Sequence, residues 1–151
     1  GRARRRPTGE TLMGVRRSGR EAAIQFLYQY DTHKPGQLDA ALTAFWKQSE
    51  EKKSVCDFAE DLLRGVLDKL PEIDARIRGL ADNWDFERLA VVDRNILRLA
   101  IYEMFFRPEI PPVVSINEAI EIAKKFSTAE SGKFVNGLLD KVKNDVLRPA
   151  R

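Results

Sequence analysis

The sequence predicts an all-α protein of about seven helices. Apolar residues recur at three- and four-residue spacing along nearly the whole chain, and no stretch alternates apolar and polar residues long enough for a strand. Prolines and polar clusters fall between the apolar runs, where helices must stop. With 151 residues, 43% of them apolar, the chain has the material for one ordinary domain with a real core.

The first helix is expected over 18–31, with Ala22, Ala23, Phe26, Leu27 and Tyr30 on one stripe. Arg16, Arg17 and Arg20 stand at its start. The helix dipole favours acids there, so these arginines serve something other than helix stability. His33-Lys34-Pro35-Gly36 breaks this helix, and the next carries Leu38, Ala41, Leu42, Phe45 and Trp46 before fading in the charged run Glu50 to Lys53. A third is expected from about 54 to 70, burying Val55, Phe58, Leu62, Val66 and Leu70. Pro71 suits the first turn of a fourth, with Ile73, Ile77 and Leu80 inward.

Asn83-Trp84-Asp85 reads as a loop, and a long helix follows over roughly 86–106, its core side marked by Leu89, Val92, Ile96, Leu99, Ala100 and Met104. Pro108, Pro111 and Pro112 end it and make an extended connector with Val113 and Val114. Ser115-Ile116-Asn117-Glu118 then matches a capping box opening the sixth helix, which carries Ile116, Ala119, Ile120 and Ala123 toward Phe126. Ser127 to Ser131 is a turn. The last helix is expected to bury Phe134, Leu138, Leu139 and Val142, with Gly137 at a close helix approach.

Composition excludes several function classes. A single cysteine, Cys56, permits no internal disulfide and no zinc cluster of cysteines, and it fits a reducing compartment. A single histidine, His33, excludes any site that needs two. No apolar run approaches the roughly 18 residues of a spanning helix, and the arginine-rich start lacks the apolar stretch of a secretory signal. A soluble protein of the cytoplasm is expected, with no membrane partner. The nine glycines are scattered, so no phosphate-cradling loop occurs. Cys56 reads as a buried inert thiol, and Asp85, Glu87 and Asp93 read as helix starts and surface pairs. No catalytic residue, metal site or cofactor is expected, and the chain does not read as an enzyme.

The net charge of +3 conceals an asymmetry. Residues 1–20 hold seven arginines, among them Arg2, Arg4, Arg5 and Arg6, against the one acid Glu10, so this segment is +6 and the remainder is −3. Such an end suits a polyanionic partner. Arg17, Arg20, Gln25 and Tyr28 then form a candidate RNA surface, since guanidinium groups neutralise phosphates and an aromatic ring stacks an unpaired base. Lys124, Lys125, Phe126, Ser131, Lys133, Phe134 and Asn136 form a second, at a helix–turn–helix junction. Phe134 shares a stripe with Leu138 and Val142, which argues for the core. Its polar flanks Lys133 and Asn136, and the family resemblance given below, argue for the rim, so it is expected partly packed with Lys133 exposed.

At these residues the chain resembles the family of the transcription antitermination factor NusB. The likeness runs through Arg16-Arg17-Ser18-Gly19-Arg20-Glu21-Ala22, Gln25-Phe26-Leu27-Tyr28-Gln29, Asp93-Arg94-Asn95-Ile96-Leu97-Arg98-Leu99 and Lys133-Phe134-Val135-Asn136-Gly137-Leu138-Leu139-Asp140. The blocks are ordered and spaced as in the family over 15–142, although two family arginine positions are here Ser18 and Gly19. The resemblance implies two small helical bundles packed together, a flexible basic extension over 1–14 and one RNA-binding domain over 15–148. Met13 is a possible natural start, and the chain ends after its final helix.

The resemblance further implies a bacterial protein that binds single-stranded boxA RNA together with NusE, a small-subunit ribosomal protein. That pair joins NusA, NusG and RNA polymerase to suppress termination in ribosomal RNA transcription. Arg16, Arg17 and Arg20 become the phosphate cluster, with Gln25 and Tyr28 further along the helix. Lys133, Phe134 and Asn136 become the second wall of an RNA groove, with Lys125 and Glu130 near the intervening turn. Arg98, Tyr102 and Glu103, read as the polar side of the long helix, become the NusE contact or the face of a homodimer. Two other readings stand beside this one: a NusB-like domain of a ribosomal RNA cytosine methyltransferase, and a structural dimerising helical scaffold.

Overall fold

A computed structural model describes residues 12–33, 36–80 and 86–147. Among these it has seven α-helices and no strand: α1 (Leu12–His33), α2 (Leu38–Gln48), α3 (Lys53–Asp68), α4 (Leu70–Arg78), α5 (Val91–Phe106), α6 (Pro112–Phe126) and α7 (Ala129–Leu147). The all-α expectation is therefore met element for element. Residues 1–11, Lys34-Pro35, the expected loop Asn83-Trp84-Asp85 and residues 148–151 lie outside the described residues. The chain divides into two compact units, 1–63 and 64–151, with the division inside α3.

In the first unit, α1 begins at Leu12 rather than near 18. Ala22, Ala23, Ile24, Phe26 and Leu27 are buried, as are Leu42 of α2 and Val55, Ala59, Leu62 and Leu63 of α3. Aromatic rings join the helices: Phe26 stacks on Tyr30 at 5.6 Å and meets Phe45 edge-on at 5.4 Å. The Trp46 indole donates to Glu60 Oε1 at 2.9 Å, tying α2 to α3 through the one polar atom of its ring. Gly19 lets α1 approach α3 closely, because a Cβ there would stand 2.6 Å from the Phe58 ring.

In the second unit, α4 packs on α5, and α5, α6 and α7 pack on one another. The expected long helix is divided: a 3-10 turn at Phe86–Arg88 precedes α5, and the N-cap Ala90 has an extended ψ of 138°. All ten residues from Asn95 to Met104 are buried, so this helix has no solvent-facing side. Such a helix must satisfy its polar side chains internally.

The sixth helix starts earlier than expected. Pro111 takes the N-cap position and Pro112 the first turn, where a residue without an amide hydrogen costs nothing, so Val113 and Val114 are helical rather than extended. Ser115 consequently lies inside the helix, and the capping box does not form. Its hydroxyl instead donates to Glu103 Oε1 at 2.7 Å, in the core. We expect Ser115→Ala to cost about 1–3 kcal/mol, the penalty for depriving a buried acceptor of a donor. Urea unfolding checks this, and Ser115→Asp separates the two roles. Aspartate at an N-cap is harmless, whereas facing Glu103 it must destabilise more than alanine.

The cap expected at Ser115 occurs instead at Thr128, whose hydroxyl accepts the Ser131 amide at 3.0 Å and opens α7. Ala129 to Ser131 are therefore helix, not turn. Gly137 meets nothing within 4 Å and is exposed, so it is not a close approach. The tight glycine of α7 is Gly132, where a Cβ would stand 2.9 Å from Lys124 of α6.

Candidate nucleic-acid interface

The expected site residues fall on both units, and the surface on each is built separately. On the first unit, Arg16 and Arg17 are half-buried on α1, Gln25 is exposed, and Tyr28 is 43% exposed. Arg20 departs from the expectation of a free phosphate ligand, because only 3% of its surface is exposed. The Arg16 and Arg20 guanidinium groups lie 5.8 and 5.6 Å from the ring centroid of Phe58 on α3. Two cations one turn apart thus converge on one aromatic face, an arrangement that cation–π attraction permits and an incoming anion would stabilise. Helical spacing marks Phe58 only as core, so this neighbour of the arginines was not legible beforehand.

On the second unit, the α6–α7 junction carries Lys125, Lys133 and Asn136 exposed and Phe134 half-buried. The Lys125 ammonium stands 5.8 Å from the Phe126 ring. Beneath this surface is a polar cluster that sequence reasoning missed. Ser127 and Ser131 share a hydroxyl hydrogen bond of 2.8 Å, and the Ser131 hydroxyl also reaches Asp93 Oδ2 at 3.2 Å. Asp93 is not the surface residue expected: it is 8% exposed, and its Oδ1 has no hydrogen-bond partner. Burial pushes its carboxyl above the usual carboxylate range, against the Ser131 hydrogen bond, which favours ionisation. The Thr128-x-x-Ser131 spacing ahead of an apolar run was the signal available for this turn.

The three residues assigned to a partner protein are placed otherwise. Arg98, Tyr102 and Glu103 are 7%, 8% and 1% exposed. Arg98 donates to both carboxylate oxygens of Asp74, at 2.8 and 2.9 Å, and to Asn95 Oδ1 at 3.0 Å. Tyr102 lies against Gly65, and Glu103 accepts from Ser115. Their side chains are buried, not on a solvent-facing polar side as expected, and these bonds tie α5 to other helices of the second unit.

Elsewhere, Cys56 is half-buried rather than buried. Burial, followed by the nearby Glu51 and Asp57 carboxylates, raises its pKa and disfavours the nucleophilic thiolate. Glu87 does form the expected surface pair, 3.2 Å from Arg78, while Asp85 lies outside the described residues. His33 is exposed at the end of α1. Among the described residues no group of three His, Cys, Asp or Glu is placed to hold a metal ion, and no helix is long and apolar enough to cross a membrane.

Comparison with known proteins agrees with this architecture. The model of the NusB family matches residues 17–144. The transcription antitermination protein NusB of Desulforapulum autotrophicum is 46% identical over 133 residues, which cover 87% of this chain and 92% of that protein. Among solved structures, T. maritima NusB superposes with a TM-score of 0.77 at 40% identity, covering 86% of this chain and 91% of its own. A structure of the antitermination factors NusB and NusE in complex with dsRNA matches with a TM-score of 0.78 at 25% identity, covering 89% of this chain and 99% of that one.

Proposed function

The chain belongs to the NusB family, and on that premise we propose that it is a cytoplasmic transcription antitermination factor that binds boxA RNA together with NusE. The observation that carries this reading is the arginine cluster of α1, in which Arg16 and Arg17 remain partly exposed while Arg20 is packed on Phe58. In this reading Arg16 and Arg17 neutralise phosphates, Tyr28 offers a stacking face, and Gln25 offers an amide to a base edge. Lys125, Lys133, Asn136 and the exposed edge of Phe134 supply the same chemistry from the second unit. Arg20 contributes by holding α1 on α3 and adding to the local positive potential. The reading extends to NusA, NusG and RNA polymerase as the larger assembly, and to a homodimer that covers the arginines as an inactive form.

The test is binding of a boxA oligonucleotide against a scrambled one, with and without NusE, across a salt series. Replacing Arg16 and Arg17 together by alanine should make the log–log salt slope shallower by about 1.4, at roughly 0.7 per phosphate on a single strand. Arg20 is left intact, because its removal would disturb the packing on Phe58. An unchanged slope would mean that these two groups do not meet RNA. Equal affinity for both oligonucleotides would favour the scaffold reading over the antitermination one.

A further inference from the structure

Glycine inside a helix weakens it, because backbone freedom is lost and no side chain is buried in return. Such a residue needs a reason, and Gly19, Gly65 and Gly132 each have one in the fold. A Cβ on them would strike Phe58, Tyr102 and Lys124 respectively. Gly79 closes α4 as its C-cap. Gly137 has no such reason. It lies in the middle of α7, within regular helix, so its backbone conformation does not call for glycine. It is exposed, and a Cβ there would meet nothing within 4 Å. Alanine would serve the free chain better, and glycine instead leaves bare helix backbone facing outward.

The position of this gap selects its occupant. Gly137 stands at i+4 from exposed Lys133 and at i+3 from half-buried Phe134, and Cβ positions so related are about 5–6 Å apart. Exposed Lys141 stands one turn further on. Glu130 and Asp140 are exposed on the same side of α7 and offset the two lysines, so the stripe is not a strong positive field. What Gly137 adds is closeness: without a side chain, a ligand can reach the helix itself. A nucleotide held on Lys133 and Phe134 extends over the next turn, where any side chain would lift it away. We propose that Gly137 is a contact residue for single-stranded RNA, where the sugar–phosphate backbone crosses α7 between Lys133 and Lys141. This rests on the RNA-binding reading above and extends its second wall by one turn.

Gly137→Ala and Gly137→Met, made in the full chain, separate the free protein from the complex. Without ligand both should raise the melting midpoint, alanine by about 2–4 °C, since they improve the helix and collide with nothing. With NusE and a boxA oligonucleotide both should bind RNA more weakly. Alanine should lose roughly fivefold and methionine about tenfold or more, the range of overpacking penalties expressed as affinity. Ala75 is exposed on α4, and Ala75→Met is the control that should leave affinity unchanged. A gain in stability joined to a loss of affinity is a signature that a structural glycine cannot give. Unchanged affinity in both variants, while the unsubstituted chain prefers boxA over a scrambled oligonucleotide, overturns this contact alone. A melting midpoint that falls in Gly137→Ala overturns it too, because the glycine would then serve the fold. An unsubstituted chain with no preference for boxA overturns the antitermination reading and this contact with it. If the variants weaken binding of NusE in the absence of RNA, the occupant is the protein, and the RNA assignment is overturned.

Discussion

Replacing Asp74 by alanine is expected to cost about 3–5 kcal/mol, the usual consequence of removing one partner from a buried ion pair. The Arg98 and Asp74 side chains are 9% and 13% exposed, and the guanidinium meets the carboxylate through Nε and Nη2 in the paired geometry that makes such bonds strong. After the substitution the neutral Asn95 carbonyl remains beside Arg98, but not the charge of Asp74. The surroundings enlarge the penalty. The guanidinium groups of Arg78, Arg94 and Arg98 lie 4.3, 5.5 and 5.6 Å from the Phe86 ring, so three cations share one aromatic residue. Removing Asp74 leaves that cluster more positive. Urea unfolding monitored by helix content gives the number. Asp74→Asn, which keeps an acceptor, should lose less, and Asp74→Leu with Arg98→Met should recover much of the loss. A loss under about 1 kcal/mol for alanine would mean that the pair contributes no more than an exposed one.

The same residues show where the sequence was legible and where it was not. Helices are local, so apolar spacing alone located all seven, and the +6 start pointed to the α1 arginines. What spacing cannot report is how many faces of a helix are covered. Asp93, Arg98 and Glu103 of α5 look from the sequence like residues for water, because polar periodicity is the same whether the facing medium is solvent or another helix. Asp74 and Ser115, which satisfy two of them, lie 24 and 12 residues away. The burial of Arg20 was illegible for the same reason, since the Phe58 ring beside it is on α3. Ser115 was misread because a capping box and a buried serine share one pattern, and the choice lay with Pro112, which starts the helix a turn earlier. At the α6–α7 junction the half-buried position of Phe134 was legible from its polar neighbours Lys133 and Asn136 and not from its stripe, which pointed to the core. The polar cluster of Ser127, Ser131 and Asp93 was not legible.

Gly65→Ala is expected to destabilise the second unit by roughly 3 kcal/mol, at the upper end of overpacking in a well-packed core. A Cβ built on Gly65 would run into the phenol of Tyr102, meeting its Oη and Cζ, and the ring edge at Cε1 would stand 2.7 Å away. The ring has little freedom to yield: Tyr102 is 8% exposed and stacks on Phe106 at 5.7 Å. Glycine inside α3 is otherwise a poor choice, because alanine at an ordinary helix position is more stable by about 0.8–1 kcal/mol. The sign of the effect therefore depends on Tyr102 alone, and a double-mutant cycle reads it. In a Tyr102→Ala background, already weakened by loss of the ring, Gly65→Ala should become neutral or stabilising. The coupling between the two positions should then exceed about 2 kcal/mol, within the range for residues in direct contact. Were Tyr102 instead turned outward to bind a partner protein, Gly65→Ala would stabilise the chain in both backgrounds, and the two substitutions would simply add.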